Sequence, residues 1–497
     1  MGIKSFLATP YAKWGSYQIN QWKKNPIAAQ EKVFKELLKG AENTAFGKDH
    51  KFSSIRSYND FKKEIPLRDY ESLKPYIERI KNGESDVLWS DKPIYFCKTS
   101  GTTSGTKYIP ISKESIHNHI HSAKIALLSY IAETGKSKFT DGKMIFLQGS
   151  PVLDVSGAIP VGRLSGIVAH HVPAYLQKNR MPSFEINCME DWEEKVDAIV
   201  EETMRENMTL ISGIPPWVQM YFEKLIEKSG EKAVKDIFKQ FSLFVYGGVN
   251  FEPYRAKFER LIGKKIDSVE LYPASEGFIA FQDSQKEEGM LLILNSGIFY
   301  EFVEASSIAE ENPERISLKD VKLGINYAII LNTNAGLWGY IIGDTVKFVS
   351  LNPYRIVVSG RIKHFISAFG EHVIAEEVEF AMKTAIEKTQ TEVAEFHVAP
   401  QVKTENELPY HEWFVEFEKL PENIEQFRSL LDTTLQQKNS YYFDLIQGNV
   451  LQPLKITLVQ KGGFSAYMKS IGKLGGQNKV PRLANDRKLA DAIGRFL

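Results

Sequence analysis

Buried strands that end in glycine or proline turns recur along the first half of this 497-residue chain. The segments KMIFLQGS (143–150), TLISGIPPWV (209–218) and SLFVYGGVN (242–250) are each an apolar run closed by turn residues, and a helical pattern follows the second and third. Residues 1–90 show helical periodicity, and so does KESIHNHIHSAKIALLSYIAETG (113–135). This alternation is typical of a sheet with crossover helices, so we predict an α/β fold.

The second half of the chain changes character twice. Strand-rich sequence from 289 to 358 predicts a more antiparallel, β-rich subdomain, and a smaller α+β unit follows SGRIK (359–363). In that unit we predict helices near 374–388 and 422–438 and strands at 394–400, 410–418 and 454–459. Because 497 residues exceed what one core supports, we expect a large N-terminal domain (1–360) and a small C-terminal domain (361–497).

Composition excludes several classes of protein. The 62 basic and 62 acidic residues cancel, so no global charge favours nucleic acid or an acidic membrane surface. The two cysteines, Cys97 and Cys188, are too few for a disulfide framework or a thiolate metal site. No apolar run approaches the roughly 18 residues that a membrane-spanning helix needs. We therefore expect a cytoplasmic protein without a membrane span.

One stretch is unusually dense in small polar residues. CKTSGTTSGTKY (97–108) follows the strand-like IYF (94–96), and its glycines would let several N–H groups surround one anion. It is not a Walker loop, whose spacing differs, and a surface turn rich in Ser and Thr is the alternative. Because so many hydroxyls precede a lysine, we predict a phosphate cradle made of Thr99, Ser100, Gly101, Thr102, Thr103, Ser104, Gly105 and Lys107.

Four later motifs complete a series. They are LYPASEGF (271–278), GLWGYIIGDTVKF (336–348), SGRIKHFISAFGEHV (359–373) and the tail GKLGGQNKVPRL (472–483). With the first stretch, they occur in an order that resembles the adenylate-forming superfamily of acyl-CoA synthetases, peptide-synthetase adenylation domains and luciferases. Within it, the sequence is similar to the Gretchen Hagen family of acyl-acid amido synthetases. The resemblance covers most of the chain and implies ATP, AMP and Mg²⁺ as cofactors.

The resemblance also implies roles for individual residues. Asp344 would accept hydrogen bonds from the ribose hydroxyls, Arg361 would reach the ribose or phosphates, and Lys363 would be the pivot about which the mobile small domain rotates. Glu276 would hold Mg²⁺ and assist catalysis. Ile341 departs from the family, which has arginine there. The adenine pocket would be formed by Gly248, Val249, Tyr272, Pro273, Ala274 and Ser275, although for GGVN (247–250) a plain turn is an equal alternative.

The tail supplies the candidate catalytic lysine. QNKVPR resembles the family's ending, so Lys479 would lie over the α-phosphate, where a cation neutralises charge that develops as a carboxylate attacks. Lys473 is an alternative. His117, His119 and His121 suggest a metal site by spacing, but no H-E-x-x-H glutamate lies between them and there is no thiolate partner, so we expect solvated or core histidines.

These features predict a two-step reaction between small molecules. ATP and a carboxylic acid would give an acyl-adenylate, and a nucleophile would then capture the acyl group. If the acceptor is the amine of an amino acid, the protein is an amide synthetase, and the motif details favour this alternative. If the acceptor is coenzyme A, the protein is an acyl-CoA ligase. A non-catalytic nucleotide-binding protein is the third alternative. The sequence identifies neither acid, amine nor oligomeric state. Candidate acyl-binding residues are His121, Leu128, Val168 and Tyr175.

Overall fold

The computed structural model describes the chain in segments. These are residues 2–100, 106–172, 177–189, 191–248, 251–308, 310–362, 365–366, 368, 371, 373–402, 404, 407–474 and 478–497. The chain divides into two compact units. Unit 1 comprises Met1–Val249, Leu261–Ile342 and Val346–Val357, and unit 2 comprises Asn250–Arg260, Gly343–Thr345 and Val358–Leu497.

A single large sheet forms the centre of unit 1. Its twelve strands run in the order β13-β12-β14-β15-β16-β11-β10-β9-β8-β7-β3-β6. Strands β6, β3, β7, β8 and β9 pair in parallel, whereas β9, β10, β11 and β16 pair antiparallel. The predicted β-rich segment therefore extends the parallel sheet and does not form a separate one. The large-sheet strands, in chain order, are Lys143–Phe146 (β3), Arg180–Met181 (β6), Met208–Ser212 (β7), Leu243–Gly247 (β8), Asp267–Ala274 (β9), Gly277–Phe281 (β10), Met290–Leu292 (β11), Ile298–Glu304 (β12), Ile316–Ser317 (β13), Asn326–Thr333 (β14), Tyr340–Leu351 (β15) and Tyr354–Arg361 (β16).

A smaller four-stranded sheet in unit 1 carries the Ser- and Thr-rich stretch. Its order is β2-β1-β5-β4, with β1 and β2 antiparallel and β1 and β5 parallel. The strands are Tyr95–Ser100 (β1), Thr106–Ile111 (β2), Asp154–Ser156 (β4) and Ile159–Gly162 (β5). Phe96 and Cys97 on β1 are almost fully buried, so the strand is anchored in the core.

Helices pack around both sheets. In unit 1 they are Ile3–Lys24 (α1), Pro26–Ala41 (α2), Ala45–Asp49 (α3), Tyr58–Glu64 (α4), Tyr70–Lys81 (α5), Lys113–Thr134 (α6), Leu164–Ala169 (α7), Phe184–Asn187 (α8), Trp192–Thr203 (α9), Pro215–Ser229 (α10) and Val234–Ile237 (α11), and Glu252–Ile262 (α12) spans residues of both units. Helix α6 packs on β9 and β10, and α1 packs on α6. Among the described helices, none is long and apolar enough to cross a membrane.

Local signals explain where the crossover helices begin and end. Ser112 caps α6 by accepting a hydrogen bond from the Ser115 backbone N–H, and Gly135 ends that helix in the left-handed conformation. The strand predicted within TLISGIPPWV (209–218) ends at Ser212, directly before the glycine and proline turn residues. Pro215 occupies the first turn of α10, where the missing N–H of proline is tolerated.

Unit 2 contains a small α+β fold, as predicted. Strands Glu392–Gln401 (β19) and Tyr410–Lys419 (β20) are antiparallel, and Lys455–Val459 (β21) is parallel to β20. A two-stranded sheet joins Phe365–Ile366 (β17) and Val373–Ile374 (β18). The helices are Ala375–Thr389 (α13), Ile424–Lys438 (α14), Ser440–Gln447 (α15), Gly463–Ser470 (α16) and Lys488–Ile493 (α17). The predicted helices and strands of this unit are thus confirmed to within a few residues.

Candidate active site

Two paired strands carry the ends of the predicted phosphate cradle. Thr99 pairs with Lys107 and Ser100 with Thr106 across the β1–β2 hairpin. Gly101, Thr102, Thr103, Ser104 and Gly105 lie outside the described residues, so their predicted role stays a prediction. The Lys107 ammonium is 5.8 Å from the centre of the Tyr70 ring. The hairpin therefore fixes both ends of the hydroxyl-rich segment (99–107).

The second motif forms a tight hairpin in the large sheet. Ala274 at the end of β9 pairs with Gly277 at the start of β10, which leaves Ser275 and Glu276 at the tip. Tyr272 is buried, Pro273 is exposed, and the two tip residues are half-buried. The sequence indicated the motif, but it did not indicate the two-residue turn that places the Glu276 carboxylate at the sheet edge.

A buried thiol connects these two motifs. Cys97 is 1% exposed, and its Sγ–H donates to Ser275 Oγ at 3.1 Å. Burial raises the pKa of the Cys97 thiol to about 12; the interaction with the Ser275 hydroxyl opposes that rise, and the nearby Glu276 carboxylate adds to it. A thiol held neutral in this way is a packing residue and not a nucleophile. The cradle strand and the Glu276 hairpin are therefore neighbours within unit 1.

Gly247 allows the backbone of β8 to approach β9 closely beside the Glu276 hairpin. A Cβ at Gly247 would lie 2.4 Å from the Leu271 carbonyl oxygen, and Gly248 has a left-handed φ of 82°. Because β8 and β9 are parallel, Gly248 and Tyr272 lie at the same carboxyl edge of the sheet, where ligands of α/β sheets bind. Val249 lies outside the described residues. This placement suits the predicted wall of an adenine pocket.

Unit 2 brings the third and fourth motifs together. Arg361 Nε donates to Asp344 Oδ1 at 2.7 Å, and Asp344 is only 8% exposed. The Ile362 N–H donates to the Gly343 carbonyl at 2.8 Å, and Gly343 takes a left-handed φ of 97° that favours glycine. Two motifs separated along the chain thus form one ion pair. The predicted pivot, Lys363, lies outside the described residues.

Lys479 belongs to the same cluster of charges. Protein atoms crowded round its ammonium group, together with the charge of Arg361, lower the pKa of Lys479 to about 8, whereas Asp344 and Glu379 act in the opposite direction. The side chain as a whole is exposed to water, which screens part of this effect. We name Asp344, Arg361 and Lys479 the ion cluster. It unites residues from three separate motifs.

The chain segment that carries Lys479 is anchored on β19. Val398 N–H donates to the Arg482 carbonyl at 2.9 Å, and a ring nitrogen of His397 bonds the Pro481 carbonyl at 2.7 Å. The Arg482 side chain forms ion pairs with Glu379 and Glu395. The sequence indicated that Arg482 is part of a motif. It did not indicate Glu379 and Glu395 as partners, because they lie about a hundred residues earlier in the chain. By contrast, Lys473 is exposed just beyond α16.

The candidate acyl-binding residues are dispersed over unit 1. Leu128 on α6 is 6% exposed and packs in the core cluster beneath α1, whereas Val168 on α7 packs against a different cluster. His121 is half-buried and its ring stacks on His117 at 6.1 Å; burial lowers the pKa of His121. Tyr175 lies outside the described residues. Among the described residues no group of three or more His, Cys, Asp or Glu side chains could hold a metal ion.

The donor set at the Glu276 hairpin fits a nucleotide-bound magnesium. Mg²⁺ usually takes one or two protein carboxylates and completes its shell with water and substrate phosphates, so a lone glutamate is sufficient. Thr99 and Lys107 lie on the strand pair next to this hairpin and carry a hydroxyl and a cation, which are groups of the kind that bind phosphate oxygens. The residues present therefore match the chemistry of ATP bound with Mg²⁺.

The order of the motifs resembles that of the adenylate-forming class of enzymes, and the fold is shared with solved structures. A 2-hydroxyisobutyryl-CoA ligase in the postadenylation state shares the fold, with a TM-score of 0.61, 13% identity and coverage of 94% of this chain and 91% of that one. A closer structural match is the acyl acid amido synthetase AtGH3.15 in complex with 2,4-DB, with a TM-score of 0.80, 16% identity and coverage of 98% and 96%.

Comparison with models of protein families identifies the family of this chain. The GH3 family N-terminal domain matches residues 16–183 and 152–266, the central domain 291–361 and the C-terminal domain 376–488. The chain therefore belongs to the GH3 family. Similar curated relatives are the indole-3-acetic acid-amido synthetase GH3.3 of Arabidopsis thaliana (22% identical; 93% of this chain and 90% of that protein) and the jasmonoyl–L-amino acid synthetase JAR6 of Nicotiana attenuata (21%; 91% and 90%).

Proposed function

We propose that the protein is an ATP-dependent ligase that activates a carboxylic acid as an acyl-adenylate and transfers the acyl group to the amine of an amino acid. The ion cluster is the observation that supports this proposal most strongly. It brings together Asp344, the candidate ribose-binding carboxylate, and Lys479, the candidate catalytic cation. Membership of a family whose curated relatives are amido synthetases supports the amide product over a thioester.

Each half-reaction balances without a covalent enzyme intermediate. In the first, a carboxylate oxygen forms a bond to the α-phosphorus of ATP, and the bond to the departing pyrophosphate breaks. In the second, the amine nitrogen bonds to the acyl carbon, AMP leaves, and the nitrogen loses a proton. Such chemistry depends on positioning and on electrostatic stabilisation and needs no activated nucleophile on the protein.

The chain's own groups divide this work. The hydroxyl-rich segment and Lys107 bind phosphate oxygens, Asp344 accepts hydrogen bonds from the ribose, and Glu276 holds Mg²⁺, which neutralises phosphate charge when bound. Lys479 places positive charge where negative charge develops at the α-phosphate. Between the half-reactions we infer a rotation of the small C-terminal domain (361–497) about Lys363.

The proposal is tested by carboxylate-dependent exchange of labelled pyrophosphate into ATP, across a panel of aromatic, aliphatic and hydroxylated acids. Acids that support exchange are then incubated with pooled amino acids or with coenzyme A, and the products are identified by mass. Exchange followed by an amide supports the proposal. A thioester would assign the protein to the ligases, and ATP binding without exchange for any acid would leave a nucleotide-binding protein.

Substitution of Glu276 by glutamine should raise the Mg²⁺ concentration needed for half-maximal exchange. Loss of a residue that only orients a metal ligand weakens metal binding roughly tenfold or more, so loss of the ligand charge should do at least as much. The matched control is Glu288→Gln, which removes an exposed carboxylate from the same unit. An unchanged magnesium response in Glu276→Gln would exclude the metal-binding role.

The pH dependence of adenylation should report the ionisation of Lys479. The reaction requires the charged ammonium, and its lowered pKa of about 8 means that charge is lost as pH rises through that value. We therefore expect kcat/KM for ATP, measured by pyrophosphate exchange, to fall above pH 8 by up to about tenfold per unit. Pyrophosphate exchange is measured instead of amide formation, because the acceptor amine titrates in the same pH range. In Lys479→Arg the remaining activity should stay flat, and a flat wild-type profile up to pH 10 would contradict the assignment.

A further inference from the structure

Helix α1 has one face packed on the protein. Ala12, Ile19 and Trp22 are 0%, 6% and 8% exposed and lie in the core cluster that includes α6. A Cβ at Gly15 would lie 3.3 Å from Leu128 Cδ1, so the two helices are in close contact. The packed face attaches α1 to unit 1.

The opposite face of α1 exposes large apolar side chains. At about 100° per residue they fall within an arc of about 140°, opposite Ala12 and Ile19. Tyr11 and Trp14 stack with ring centres 5.5 Å apart. We name this set the aromatic face: Phe6 (67% exposed), Leu7 (59%), Tyr11 (41%), Trp14 (48%) and Tyr17 (64%).

Such a grouping differs from ordinary surface exposure. Single exposed apolar residues are normal, as at Val155 and Phe184, which are 71% and 62% exposed in other parts of unit 1. Five on one helix face form a contiguous patch, and patches of this kind mark interaction sites. The match to the N-terminal family model begins at residue 16, so most of the aromatic face precedes it.

The charge of α1 is entirely positive. The helix contains four lysines and no acidic residue, although the whole chain has a net charge of zero. Lys4, Lys13 and Lys24 are exposed, whereas Lys23 pairs with Asp283 at 3.0 Å. By helical geometry Lys13 and Lys24 lie along one border of the aromatic face. The nearby carboxylate of Asp141 bonds the backbone of Gly2 and Ser5 at the start of the helix.

We propose that the aromatic face docks on the surface of an anionic phospholipid membrane. A helix that presents Trp, Tyr, Phe and Leu on one face with lysines at its border suits the interfacial region, where aromatic rings sit at headgroup level and lysines meet lipid phosphates. The helix lies on the surface and does not span it, in agreement with the absence of a spanning helix among the described residues.

The positive charge of α1 favours an anionic lipid surface over a second copy of the chain as the partner of the aromatic face. In a twofold dimer through this face, the lysines of both copies would border the same interface, and like charges brought together oppose association. An anionic surface instead attracts each of them. The proposal concerns where the protein is held and does not depend on the reaction that it catalyses.

The test is co-sedimentation of the full chain with vesicles of phosphatidylcholine alone or mixed with phosphatidylglycerol. We expect binding to the mixed vesicles that weakens with added salt, because salt screens the lysine–phosphate attraction. The variant Phe6→Ser/Trp14→Ser/Tyr17→Ser should lower the partition coefficient by roughly tenfold or more, since each substitution removes several buried methylene equivalents. Val155→Ser/Phe184→Ser, which removes equally exposed apolar side chains, should bind like the wild type.

A second variant tests the charge separately. Lys13→Glu/Lys24→Glu should lose roughly tenfold or more on mixed vesicles, because each basic residue near an anionic surface contributes about 1 kcal/mol. This variant still tests the proposal if the triple variant misfolds. A lowered thermal midpoint of the triple variant would reveal such misfolding. The proposal is overturned if wild type fails to sediment with mixed vesicles, or if the Val155/Phe184 variant loses binding equally. It is also overturned if light scattering shows a dimer that the triple variant abolishes, which would assign the face to a second copy.

Discussion

Replacement of Lys479 by alanine is expected to slow acyl-adenylate formation by about 10²–10³-fold, the usual effect of removing one group that stabilises transition-state charge. ATP binding should change little, because the phosphate cradle, Glu276 and Asp344 remain. The lysine side chain is exposed, so its truncation should not destabilise unit 2. Pyrophosphate exchange measures the first quantity, and calorimetric titration with ATP measures the second.

The nearby Lys473 provides a matched control. It lies in the same tail and is exposed, but it follows α16 and its backbone N–H simply closes that helix on the Met468 carbonyl. Lys473→Ala should therefore exchange pyrophosphate like the wild type. Normal exchange in Lys479→Ala together with a loss in Lys473→Ala would transfer the role to Lys473. Normal exchange in both would exclude the tail from the chemistry.

Fold class could be predicted from the sequence because local signals and the global fold agree. Glycine and proline closed the apolar runs where strands end, and helical periodicity marked the crossovers, so the order of elements in both units was visible. The segment 209–218 is an example of these local signals. β7 ends at Ser212, and Gly213 with the paired prolines at 215 and 216 marks the boundary between β7 and α10.

The site was predicted as motifs and not as geometry. Each motif has a local signature, but the contacts that assemble them join residues far apart in sequence: Cys97 to Ser275, Asp344 to Arg361, and the Lys479 segment to β19. Periodicity and composition contain no information about such pairs. Anchoring residues such as His397 and Glu379 were missed for that reason, since neither stands in a recognisable pattern.

A buried ion pair on β12 was also invisible in the sequence. Glu301 interrupts the apolar segment NSGIFYEFVE (295–304) and is 0% exposed. Its two carboxylate oxygens accept from Arg315 Nε and Nη2 at 3.1 and 2.7 Å, and Asn332 Nδ2 donates to one of them at 2.9 Å. Arg315 also donates to the Ile65 carbonyl. The pair therefore ties β12 to the helical segment before β1.

Glu301→Ala is expected to destabilise unit 1 by about 3–5 kcal/mol, because it leaves the Arg315 guanidinium buried without its counter-charge. For a unit of this size the thermal midpoint should fall by roughly 5 °C, measured without nucleotide at a fixed scan rate. Glu304→Ala, on the same strand but exposed, should melt like the wild type. Glu301→Ala/Arg315→Leu should recover part of the loss, because it removes the unpaired charge. If the double variant melts no higher than Glu301→Ala, the loss comes from the cavity and not from the stranded charge.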